Sequence, residues 1–104
     1  MKQITVKDEQ GTQYILEFTK ATIIQMEKAG FVLDAVDKMP VTMMTLLVQG
    51  AFKAHHSMVS ADKIDAIYAS LANKEKLLTK LAEMYAEHAD KLVEEGNVSW
   101  EANF

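Results

Sequence analysis

Two short apolar stretches, Ile4-Thr5-Val6 and Tyr14-Ile15-Leu16-Glu17-Phe18, are rich in β-branched and aromatic residues. They flank a polar segment, Lys7–Thr12, that contains the turn residue Gly11. This arrangement predicts a β-hairpin. Thr19 then stands where a helix N-cap belongs, and a helix is expected over Lys20–Ala29. Phe18 and Ile23 occupy the N′ and N4 positions of a hydrophobic staple, and Gly30 the C′ position. Two strands alone are marginal in water, so Ile23, Ile24 and Met26 are expected to pack on the hairpin.

From Phe31 to Met39 the chain reads as a connector with room for one helical turn, and Pro40 suits the first turn of the next helix. Over Val41 to about Ser57 the apolar set Met43, Met44, Leu46, Leu47, Val48, Ala51 and Phe52 covers more than one face, so this helix is expected at the centre of the domain. Ser60 is the expected cap of a short helix in which Ile64, Ile67, Tyr68 and Leu71 follow i, i+3, i+4, i+7 spacing. Asn73 is the expected cap of the last helix, Lys74 to about Glu95. Its broad stripe is Leu77, Leu78, Leu81, Met84, Tyr85, His88, Leu92 and Val93. Positions 78, 81, 85, 88 and 92 also match a and d spacing, but over two heptads only, so core packing is a stronger reading than a self-association seam. The fold expected is α+β and mostly α-helical: an N-terminal β-hairpin, about four helices, and a short C-terminal tail. Residues 1–95 form one domain and residues 96–104 the tail.

Beyond Gly96 no helical period continues, yet this segment holds the only tryptophan, Trp100. Glu94, Glu95 and Glu101 surround it, with no basic residue after Lys91. An acidic strip tipped by an aromatic suits docking better than catalysis, with Trp100 either folded back on its own domain or anchoring a partner. Charge follows the same division. Residues 1–60 carry six Lys against six acids and residues 61–104 five Lys against nine acids, so the net charge of −4 belongs to the second part. Arginine is absent. An acidic, Arg-free chain gains nothing from counterion release, so no nucleic-acid partner is expected. No apolar run is long enough for a membrane span, the N-terminus lacks a signal-peptide core, and there is no cysteine. A soluble, intracellular protein without a membrane partner is therefore expected.

The residues that bear chemistry are scattered. His55 and His56 are neighbours on a helix and point about 100° apart, without the i, i+4 histidine partner of a zincin helix. With Asp62 or Asp65 they offer a weak metal site at most. Asp34 with Asp37, and Glu83 with Glu87, lie among lysines and read as solvated. Gly11, Gly30, Gly50 and Gly96 form no phosphate cradle. No serine sits in a nucleophile elbow. No catalytic residue, metal or cofactor is expected. Met39, Met43 and Met44 could line an adaptable groove, although core filling is the simpler role.

The order of hairpin, capped helix, the helix end Gly50-Ala51-Phe52-Lys53-Ala54-His55-His56, the helices Asp62–Leu71 and Asn73–Tyr85, and the ending Gly96-Asn97-Val98-Ser99-Trp100-Glu101 resembles a tail assembly chaperone of long-tailed phages and prophages. The resemblance spans essentially the whole chain. It implies a non-enzymatic protein of the bacterial host cytoplasm, absent from the mature virion. Its implied partners are the hydrophobic, helical tape measure protein, which it keeps soluble, and tail tube subunits, which it helps recruit. Members of that family frequently make a longer product through a minus-one frameshift. Ala102-Asn103-Phe104 can be encoded GCA-AAU-UUU, a slippery heptamer, and the coding DNA there is where this expectation is checked.

The partner-binding residues expected on these grounds are Trp100, Glu101, Val98 and Glu95 of the tail, Met43 and Met44 of the central helix, and Leu81 and Tyr85 of the last helix, with a homo-oligomer as a further expectation. The rival is a small regulatory protein, antitoxin-like or transcription-associated, that dimerises through its last helix. It calls for a basic recognition helix, and the sequence contains none.

Overall fold

The computed structural model describes residues 2–104. Its order is β1 (Ile4–Lys7), β2 (Gln13–Leu16), α1 (Lys20–Lys28), a 3₁₀ turn (Leu33–Ala35), α2 (Pro40–Lys53), α3 (Ala61–Ser70) and α4 (Lys74–Lys91). The α+β, mostly helical architecture is the one the sequence predicts. Among the described residues no helix is long and apolar enough to cross a membrane.

The strands pair antiparallel with Ile4 opposite Leu16 and Val6 opposite Tyr14. Asp8 shapes the turn: its Oδ1 accepts the amides of Gln10 and Thr12, both at 2.9 Å, and Gly11 takes the positive φ of 85° that the turn requires. Thr19 and Thr22 cap α1 reciprocally, Thr22 N–H donating to Thr19 Oγ1 and Thr19 N–H to Thr22 Oγ1. At the other end Gly30 adopts φ 100°, so that Phe31 N–H reaches Met26 O and Gly30 N–H reaches Glu27 O, a Schellman closure.

Helix α2 is the hub, packed against α1, α3, α4 and β2. Gly50 makes its crossing with α1 close: a Cβ there would lie 2.3 Å from Met26 Sδ. This crossing corrects one expectation. Met26 turns toward α2, which leaves Ile24, about 200° around the helix from it, exposed, and it is mainly α2 rather than α1 that lies on β2. The apolar stripe of α4 is core. Leu81 is fully buried, and Tyr85 meets Phe18 and Phe31 edge-on at 5.5 and 4.8 Å, fastening α4 to both ends of α1.

Two helix ends and one cap also differ from expectation. Helix α2 stops at Lys53 rather than near Ser57, because Ala51 O accepts Glu17 N–H from the strand and Lys53 Nζ reaches Val59 O. Asn73 precedes α4 but its side chain does not cap it. Its backbone is left-handed, with φ 55°, a conformation that asparagine tolerates, and this makes the tight α3–α4 joint. Helix α4 ends at Lys91, and the amides of Leu92, Val93 and Glu94 bond three residues back, so the coil tightens and runs out before the segment at 96–104.

Candidate functional site

Two surfaces and one buried polar cluster compete for a role. The cluster lies where α2 meets the hairpin. Glu17 follows β2 and is only 5% exposed, yet it is an acid, and a buried carboxylate is costly unless partnered. Its Oε1 accepts from His55 Nε2 at 2.5 Å and from Gln3 Nε2 at 3.0 Å. These donors, the histidine foremost, hold the Glu17 carboxyl below its ordinary value near 4.5, against the opposing effect of burial. His56 serves the neighbouring residue: its Nε2 accepts Ile15 N–H at 2.9 Å, which fixes the Nδ1–H tautomer. His56 therefore closes the outer edge of β2 and His55 partners the Glu17 carboxylate, rather than either joining Asp62 or Asp65; Asp65 instead accepts from Gln49. With its donors in place Glu17 is a clasp between strand and helix end. Local sequence patterns do not reveal it, because Glu17 and His55 are 38 positions apart.

The first surface is the segment after α4. Trp100 is 86% exposed, Val98, Phe104 and Val93 are about as open or more so, and Leu92 at its root is half-exposed. Every residue of the segment is exposed. It projects as an arm, which gives the molecule a long axis of 57 Å against 30 and 24 Å. The radius of gyration, 15.6 Å, exceeds the roughly 13 Å expected of a compact chain this long. Glu95 and Glu101 are exposed along it.

The second surface is a cleft of about 390 Å³ between α2 and α3, lined by Val41, Met44, Thr45, Val48, Asp65 and Tyr68. Val41 and Met39 lie exposed at this end of α2, and burial raises the Tyr68 hydroxyl pKa above its ordinary 10.0. A second hollow, about 300 Å³, runs beside β1 and is lined by Ile4, Thr5, Val6, Leu71, Ala72, Asn73, Lys76 and Leu77.

The eight residues singled out from the sequence thus divide. Trp100, Glu101, Val98 and Glu95 stand together on the arm, and Met44 lines the α2–α3 cleft. Met43, Leu81 and Tyr85 are core residues with no surface to offer. The carboxylates at 34, 37, 83 and 87 are exposed, and Glu87 pairs with Lys2 at 2.7 Å. No curated protein and no solved structure matches the chain. One family model does, over residues 1–104, and the chain belongs to that family, the domain of unknown function DUF5055.

Proposed function

We propose that this protein is a non-enzymatic tail assembly chaperone of long-tailed phages, which binds the tape measure protein in the host cytoplasm, keeps it soluble and helps recruit tail tube subunits. The observation that carries the reading is the arm, whose large apolar side chains contribute nothing to the domain's own core and sit among glutamates. A long, hydrophobic helical client needs its apolar face covered reversibly. An aromatic anchor supplies the contact, and neighbouring acids select amphipathic segments that carry basic residues. The α2–α3 cleft adds a second, partly apolar surface, with the adaptable side chain of Met44 in its lining. A longer product made by a frameshift across Ala102–Phe104 belongs to the same reading. A regulator that dimerises through α4 is the weaker alternative, since Leu81 and Tyr85, the residues such a seam needs, pack inside the domain.

Co-expression tests the proposal. The tape measure protein is produced with the parent chain, with a chain lacking residues 96–104, and with Met44→Asp. The parent is expected to keep the client in the soluble fraction and the truncated chain to lose most of that effect. A client that is equally soluble beside all three, or equally insoluble, overturns the reading.

A further inference from the structure

Hydrogen-bond directions leave the hairpin with one sealed edge and one open edge. In an antiparallel strand the N–H and C=O of alternate residues face opposite sides. Ile15 gives its N–H to His56 and Glu17 gives its N–H to Ala51, so both face away from β1, and Tyr14 and Leu16 are the residues that bond to it. By the register, Ile4 and Val6 face β2, and the backbone groups of Thr5 and Lys7 face outward. Among the described residues no hydrogen bond is made by the amides of Thr5 or Lys7 on that side. A bare edge of this kind is a template for another strand.

The arm has the pattern of such a strand. Val98, Trp100, Ala102 and Phe104 alternate with Ser99, Glu101 and Asn103, the period of two that puts one set on each face of a sheet. Added beside β1, the apolar set falls on the face of Ile4 and Val6, over the hollow walled by Leu71 and Leu77. Glu101 then falls on the face of Lys7, giving an opposite-charge cross-strand pair. We propose that residues 97–104 of one copy add as a third strand to the β1 edge of a second copy, with Trp100 seated against Leu71 and Leu77.

The arm's position argues for a second copy over self-insertion. Every residue from Asp90 to Phe104 is exposed and the sheet is two-stranded among the described residues, so the arm leaves the β1 edge of its own copy open. Each copy presents one arm and one open edge, a head-to-tail contact that grows into a ring or a filament. The proposal stands apart from the chaperone reading, since it concerns copies of this chain alone.

Sedimentation of the purified full chain tests it across a concentration series, beside Trp100→Asp, which spoils the arm, and Thr5→Pro, which removes the outward N–H while leaving the bonds to β2. The parent is expected to associate as concentration rises, each variant to associate about tenfold more weakly or less, and an equimolar mixture of the two variants to form a 1:1 heterodimer that grows no further. Should Thr5→Pro not fold, amide exchange replaces it: Thr5 and Lys7 amides of the parent should gain protection on association and lose it in Trp100→Asp. A parent that stays monomeric throughout, a Trp100→Asp chain that associates as the parent does, or oligomers in which Thr5 and Lys7 exchange freely each overturn the proposal.

Discussion

Helix α4 and the arm that follows it contain similar apolar side chains with opposite fates. Leu81, Met84 and Tyr85 are buried, whereas Leu92, Val93, Val98 and Trp100 face water. The difference is not hydrophobicity but what lies opposite. Up to Ala89 the helix runs over α2 and the ends of α1, so residues at three- and four-residue spacing find partners. Beyond Lys91 no element among the described residues faces the chain, and a residue as large as Trp100 stays out for want of one to receive it. Apolar content shows that a segment has something to bury, and geometry decides whether the partner is in the same molecule.

The largest effect should come from the buried side of this comparison. Leu81→Ala leaves a cavity among α1, α2 and α4 and is expected to cost about 2–5 kcal/mol, a large fraction of a typical domain's stability, as measured by urea unfolding. A loss below about 1 kcal/mol would mean that α4 is held less tightly than its burial implies.

That much of the molecule was legible from sequence because it rests on local patterns. The hairpin, the Thr19 cap, the Gly30 stop, the place of Pro40 and the helical stripe from Leu77 to Tyr85 each need only a few neighbouring residues to be recognised. Helix ends were less legible, since α2 is cut short by a strand amide from Glu17 that no local rule foresees. Asn73 was recognised as a helix-start residue, although the property it contributes is tolerance of a left-handed backbone. The clasp on Glu17 was invisible for the same reason as the end of α2. In sequence it is a polar residue in a strand, and its histidine partner comes 38 positions later.

Glu17 supplies the intermediate effect. Glu17→Gln preserves shape and removes the charge that His55 and Gln3 satisfy, at an expected cost of about 1–2 kcal/mol near neutral pH. The sign with pH follows from the lowered pKa. Above the ordinary glutamate value near 4.5 the carboxylate is charged in both the folded and unfolded chain, and its stabilising contribution is complete. As pH falls from there through the lower folded-state value, the contribution is lost. Thermal melts of parent and variant should therefore converge toward the acid end, and curves that stay parallel would show that the clasp carries no proton linkage.

The smallest effect belongs to the exposed side. Trp100→Ala removes a ring that touches no core residue, and the unfolding free energy should move by no more than about 0.5 kcal/mol. The measurement is best made on dilute protein, where self-association is least. A fall as large as that of Leu81→Ala would abolish the contrast between the two regions and make Trp100 a latch.

The imidazole that closes the edge of β2 also has a consequence in time. Residues 4–16 leave the ribosome long before residue 56, and at about 5–20 residues per second the interval is roughly 2–8 s. Throughout it the hairpin lacks both His56 and the end of α2, and a two-stranded hairpin is marginal alone. The nascent chain therefore has two bare strand edges where the finished domain has one, and the emergence of Ala51–His56 is the step at which the first is covered.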